Sequence, residues 1–124
     1  MRSAARLFAA LALALLFAGA AGSAPVPGLH GVVMEGPIMP VCRVDVPCEK
    51  PARGVVLQFM RTGHVMARVK TTAKGTYRVT LPPGTYAVTT VPRRRVGTGL
   101  TPHTVRVRKD RMARRDFHLD TGLQ

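Results

Sequence analysis

The chain has 124 residues, 19 of them Lys or Arg against six Asp or Glu, for a formal net charge of +13, and it holds two Cys, two Tyr and no Trp. That length fits one domain with one core rather than a multidomain chain. Scattered carboxylates and scarce aromatic residues speak against acid–base catalysis and against an aromatic sugar platform, while the charge points to an anionic partner.

Arg2 and Arg6 precede an unbroken apolar run over 7–18, and small residues follow from Gly19 to Ala24. This is the pattern of a secretory signal peptide. Ala18-Gly19-Ala20 matches the small-x-small cleavage rule and Pro25 opposes cleavage after Ala24, so a signal is expected over 1–20 and a flexible arm over 21–28. The apolar run, about a dozen residues, is shorter than the roughly 20 a membrane helix needs. The mature chain is then expected to be extracytoplasmic and not membrane-spanning, with 17 basic residues against six acidic ones, a net charge of about +11.

A first strand is predicted over 29–35, where Leu29, Val32, Val33 and Met34 are apolar and Gly36-Pro37 stops the run. Residues 37–51 form a loop with four prolines and both cysteines, unsuited to a central strand because proline has no N–H to donate. A second strand is expected over 55–60 and a third over 64–69 after Thr62-Gly63, with positions 65, 67 and 69 inward. From 75 to 88, Tyr77, Val79 and Leu81 alternate with polar residues and the alternation resumes at Tyr86 and Val88, which reads as a β-hairpin around Pro82-Pro83-Gly84. A basic crossing loop carries Arg93, Arg94 and Arg95. The sixth strand, over 104–108, turns inward Val105 and Val107, and a final hairpin leads into 113–120, with Phe117 and Leu119 inward and a short tail over 121–124. Seven short strands without a helical stripe predict an all-β, seven-stranded antiparallel Greek-key sandwich over 29–120.

The pattern Gly75-x-Tyr77-x-Val79-x-Leu81-x-Pro83-Gly84-x-Tyr86-x-Val88 resembles the signature of carboxypeptidase regulatory-like domains, which belong with the prealbumin-like, or transthyretin-like, sandwiches. The segments at Gly31-Val32-Val33 and Gly54-Val55-Val56-Leu57, and the closing Asp116-Phe117-His118-Leu119, are similar to that family's strands at the corresponding places. Gly36-Pro37, Pro40-Val41-Cys42, Pro47-Cys48 and Asp120-Thr121-Gly122 further resemble a group of small secreted bacterial proteins of unassigned function. The likeness implies a fold and names no ligand. Isopeptide-locked adhesin modules of this architecture need an Asn or Asp and a strand Lys. Here there is no Asn, and the first strand has no Lys. The C-terminal tetrapeptide of the prealbumin-like purine hydrolases is also not matched by Thr121-Gly122-Leu123-Gln124.

Cys42 and Cys48, in an exported chain and separated by five residues, are expected to form a disulfide that stiffens the proline-rich loop. A metal or redox site is the alternative, which the non-Cys-x-x-Cys spacing disfavours. Met34, Met39, Met60, Met66 and Met112, with His30 and His64, raise an extracytoplasmic copper site, against the competing reading that methionine fills gaps in a β core. Asp116, His118 and Asp120 alternate on one strand and are expected to be solvated partners of Arg106 or Arg108 across a sheet. No catalytic set, metal site or cofactor is expected, and the chain is read as a non-enzyme.

Two arginine clusters are the candidate anion-binding residues: Arg93, Arg94 and Arg95 in the crossing loop, and Arg106, Arg108, Arg111, Arg114 and Arg115 around the last two strands. Arginine's planar fork suits phosphate, sulfate and carboxylate. The expected role is a secreted, noncatalytic binding or structural accessory module of the cell envelope. Its expected partners are an anionic cell-wall polymer, lipid head groups or an acidic protein. Export sets nucleic acid aside as a physiological partner. A carbohydrate-binding module and an extracytoplasmic copper-binding protein are the alternatives.

Overall fold

In the computed structural model, which describes residues 25–93 and 99–123, the chain is built around one long strand, β1 (Gly28–Gly36). On one flank β1 pairs antiparallel with β5 (Thr76–Thr80) along its first half and with β2 (Lys50–Pro51) near its end. On the other flank it pairs in parallel with β9 (Met112–Arg114) and then β10 (Phe117–Asp120), and β7 (Leu100–Thr101) closes that side on β10. A second, four-stranded antiparallel sheet has the order β4 (His64–Lys70), β3 (Val56–Arg61), β6 (Gly84–Val91) and β8 (Thr104–Val107).

The two sheets pack face to face, and strand alternation supplies the core between them. Leu29, Val33, Tyr77, Val79, Phe117 and Leu119 of the first sheet meet Leu57, Phe59, Tyr86, Val88, Val105 and Val107 of the second, all buried. Phe59 joins the layers: its ring centroid lies 6.4 Å from that of Tyr77 and 6.5 Å from that of Phe117, and those two are 5.5 Å apart. These separations fall in the favourable range for aromatic pairs. Both buried phenols are satisfied, Tyr77 donating to the Arg115 carbonyl and Tyr86 to the Pro82 carbonyl. Buried Thr71 donates to the Ala52 carbonyl at 2.5 Å and accepts from the Val55 amide at 2.8 Å, which fastens the end of β4 to the start of β3. Gly75, at φ 75°, lets the chain bend against β1: its carbonyl accepts from the Val33 amide at 2.8 Å, and a Cβ there would lie 2.6 Å from the Val33 oxygen.

The all-β, two-sheet class is the one the alternation predicts, but several details differ. Among the described residues ten strands stand where seven were expected: β2 and β7 are two-residue additions, and the predicted last strand divides into β9 and β10. The parallel pairing of β9 and β10 with β1 departs from an all-antiparallel plan. A strand that reaches a sheet by a crossover, not a hairpin, is free to run parallel.

The segment 75–88 is not a hairpin. β5 belongs to the first sheet and β6 to the second, so the chain crosses between layers at Pro82-Pro83. Neither proline has an N–H for a hairpin's closing bonds. The inward alternation is satisfied across the core, with the Leu81 amide donating to the Pro27 carbonyl at 3.2 Å. The predicted final hairpin is likewise a crossover, because β8 lies in the second sheet and β9 and β10 in the first.

The turn at Thr62-Gly63 is a true hairpin, with both residues at positive φ. A bulge opposite Met60 shifts the register from Phe59–Ala67 to Met60–Val65, so Met66 is the extra residue. The bulge breaks the alternation, and Val65, expected inward, is 45% exposed while Ala67 and Val69 pack on the core. At the two ends, Gly28 already belongs to β1, and Thr121 extends the contact beyond β10, its hydroxyl donating to the Pro37 carbonyl at 2.6 Å. The expected signal peptide over 1–20 lies outside the described residues.

These packing assignments predict that Phe59→Ala lowers unfolding free energy by about 3–5 kcal/mol. Val65→Ala should change it by less than about 0.5 kcal/mol. Urea unfolding of both variants measures the contrast, and comparable losses would place Val65 in the core instead of on the bulge.

Candidate functional site

Charge is distributed unequally between the two sheets. The strands of the four-stranded sheet carry Arg61, Arg68, Lys70 and Arg106 and not one carboxylate. The six acidic residues sit elsewhere: Glu35 on β1, Glu49 beside β2, Asp116 and Asp120 at β10, Asp45 in the cysteine loop and Asp110 in the turn after β8. Several are already partnered, Glu35 with Lys50 at 3.6 Å and Glu49 with His118 at 3.1 Å.

A first basic groove forms where β8 ends beside the start of β6. Arg106, Arg108 and Lys109 line it together with Pro83, Thr85 and Asp110. Alternation along β8 buries Val105 and Val107 and so turns Arg106 outward, where it pairs in register with Thr85. At the neighbouring end of β3, Arg61 donates to the Pro83 carbonyl at 3.1 Å, and its guanidinium carbon lies 6.0 Å from the Tyr86 ring centroid. Gly84, at φ 154°, lies beneath that guanidinium, which stands 2.9 Å from where a Cβ would be.

A second basic cleft lies on the other sheet. His30 on β1 pairs in register with Arg78 on β5 and with Arg114 on β9, and Lys70 comes to the same cleft from the end of β4. Asp116 borders it at a break in the ladder between β1 and the last strands. Its Oδ1 accepts from the Val32 amide at 2.9 Å, taking the place of a backbone carbonyl, and its Oδ2 lies 3.3 Å from Arg114 Nη2. The Val32 amide foremost, and then Arg114, hold the Asp116 carboxyl below its ordinary value. Burial, with the nearby Asp116 charge, pushes the Tyr77 phenol well above its usual range, which keeps it a hydrogen-bond donor.

The predicted second arginine cluster therefore splits. Arg106 and Arg108 share the first groove, Arg111 is exposed in the turn, and Arg114 and Arg115 follow on the opposite sheet. Arg93 is exposed beyond the end of β6, and Arg94 and Arg95 lie outside the described residues. The expected pairing of Asp116, His118 and Asp120 with Arg106 or Arg108 does not form, since the two sets occupy different sheets. Asp116 meets Arg114, His118 meets Glu49, and Asp120 accepts from the Gly122 amide at 2.8 Å.

Cys42 and Cys48 form a disulfide with Cα atoms 5.6 Å apart, within the usual range for such a bond. Their loop projects Val41 and Val44 into solvent, 74% and 109% exposed. The methionines and histidines raised for copper are spread over both sheets and the loop, with Met60 Sδ accepting from Gln58 at 3.2 Å. Among the described residues, no three His, Cys, Asp or Glu gather as a metal site, and Phe59, Tyr77, Tyr86 and Phe117 are all buried. No helix among them is long and apolar enough to cross a membrane. No protein-family model matches the chain, and neither a curated protein nor a solved structure is detectably similar to it.

Sequence reasoning had no signal for Lys70, Arg78 or His30 as members of one cationic cleft, because they stand far apart in the chain and meet only through the pairing of β1. Arg61 was hidden in the same way, being isolated in sequence from the arginine runs.

An Asp held below its ordinary carboxyl value of 3.8 stabilises the fold above that range and loses the contribution as the pH falls through its lowered value. Asp116→Asn should therefore be less stable than wild type at pH 7, by no more than about 1 kcal/mol at this solvent-screened position. The gap should close as the pH is lowered toward 2. Thermal unfolding across pH 2–7 measures it, and a gap independent of pH would remove the role of the Asp116 charge.

Proposed function

We propose that the protein is a secreted, noncatalytic accessory module of the cell envelope that contacts an anionic polymer through its cationic grooves. In this reading the domain is a prealbumin-like sandwich of the carboxypeptidase regulatory-like kind, on a seven-stranded Greek-key plan. The short β2 and β7 and the divided last strand elaborate that plan. The signature over 75–88 supports the family, and Arg2, Arg6 and the apolar run over 7–18 support export.

One observation carries the functional reading: the strands of the four-stranded sheet bear four cations and no carboxylate, and Arg106, Arg108 and Lys109 outnumber the single carboxylate, Asp110, about one groove. A surface of one sign attracts a polyanion at long range and holds it by releasing counterions. Guanidinium forks then fit the oxyanions of phosphate, sulfate or carboxylate groups. A neutral-sugar module is less well supported, because stacking needs an exposed ring and all four rings among the described residues are buried.

Binding to soluble phosphorylated cellulose, measured at several salt concentrations, tests the groove. Arg106→Gln/Arg108→Gln should flatten the slope of log affinity against log salt by roughly 1.4–1.8, as two lost phosphate contacts do on nucleic acid. Arg43→Gln/Arg53→Gln, which removes the same charge elsewhere, should flatten it less. Equal slopes for the two double variants would leave only diffuse attraction by net charge and would refute a role for the groove.

A further inference from the structure

We infer that the cleft formed by His30, Lys70, Arg78 and Arg114 is a second, discrete site that receives a single phosphate or sulfate monoester. It shares with the proposed polymer binding only the class of ligand, and it lies on different strands from the Arg106 groove.

Arg78, His30 and Arg114 occupy one row across three adjacent strands, Arg78 and Arg114 each in register with His30. Residues directly opposite on neighbouring strands have Cβ atoms about 4.5–5.5 Å apart, and like charges placed so are destabilising. Two guanidinium groups flank one imidazole in this row, and Lys70 adds an ammonium from the other sheet. Asp116 is the carboxylate beside them, and it is engaged with the Val32 amide and with Arg114. Among the described residues, Arg78 and Lys70 have no ion pair. Arg114 is thus already balanced by Asp116, while Arg78 and Lys70 are left for an incoming anion to relieve.

The shape of the cleft specifies the anion further. It encloses about 550 Å³ and is open to solvent, larger than one oxyanion and of a size for an oxyanion carried on a small polar group. Donors come from several elements: a fork on β5, a fork on β9, an imidazole on the strand between them and an ammonium at the end of β4. A flat carboxylate is matched by one fork, whereas a tetrahedral group presents oxygens in several directions at once. At the rim, the Thr72 and Thr76 hydroxyl oxygens are 2.6 Å apart, and the Thr76 amide donates to Thr72 Oγ1 at 3.2 Å. One hydroxyl proton is used between the two, which leaves the other free to donate to a ligand hydroxyl or ester oxygen.

Titration of the full mature chain with glucose 6-phosphate, followed by amide chemical shifts with glucose as the neutral control, tests the site. Saturable shifts are expected at His30, Val32, Thr72, Thr76 and Arg78, with none from glucose. Lys70→Gln/Arg78→Gln should weaken binding at least tenfold, while Arg106→Gln/Arg108→Gln leaves it within twofold. Thr76→Val, which keeps the β-branched shape, gives a second variant, expected to weaken binding severalfold. Shifts that fail to saturate, or an affinity unchanged in Lys70→Gln/Arg78→Gln, would overturn the site. Cleft binding without retention on phosphorylated cellulose would overturn the polymer reading and keep the site, and the reverse pattern would do the opposite.

Discussion

The backbone pairing of β1 is the constraint on which the rest of the molecule depends. Four strands use its two flanks, β5 and β2 on one and β9 and β10 on the other, so one segment of nine residues sets the register of the whole first sheet. Two glycines and a carboxylate adapt the neighbours to it. Gly75 approaches β1 where side chains cannot, and at Gly31 the Arg115 carbonyl comes in close enough that any Cβ would collide with it. Asp116 completes the interrupted ladder by accepting from the Val32 amide with its side chain. The same break turns the Arg115 carbonyl to the Tyr77 hydroxyl, joining the backbone of β1's neighbours to the aromatic contact that links the sheets.

Function is proposed to follow from what this scaffold separates. Hydrogen bonds and apolar packing hold the domain, while most of the acidic residues gather near β1 and β10 and the four-stranded sheet is left cationic. Like charges spread over a sheet oppose folding slightly and favour association with anions, and a domain with a closed core tolerates the first effect in exchange for the second. The two basic sites differ in kind. Around β8 the cations Arg106, Arg108 and Lys109 follow one another along the end of a strand and its turn, whereas Arg78, His30 and Arg114 stand side by side across three strands.

Much of the fold was legible in the chain because alternation with period two reports which residues face inward. Tyr77, Val79, Tyr86, Val88, Val105, Val107, Phe117 and Leu119 were all expected inward and all are buried. Alternation does not report which strand lies beside which. A hairpin and a crossover between layers present the same pattern around Pro82-Pro83, and only the loss of two N–H donors separates them. Val65 was misplaced because a bulge adds one residue without a mark in the sequence. The arginine runs were visible, yet contiguity in sequence did not mean proximity. The turn after β8 carries Arg108 and Arg114 to different sheets, while Arg78 and Arg114, distant in sequence, face the same His30.

Anionic polymer is proposed to meet the four-stranded sheet, whose strands bear no carboxylate, and not the protein at large. An amide chemical-shift map of the chain from Pro25 onward, with soluble poly(glycerol phosphate) added, is the decisive measurement. The largest changes should fall on Thr85, Arg106, Arg108 and Lys109 and extend over the outward positions of β4 and β6. Changes concentrated around Glu49 and Asp120, or spread evenly over both sheets, would contradict it.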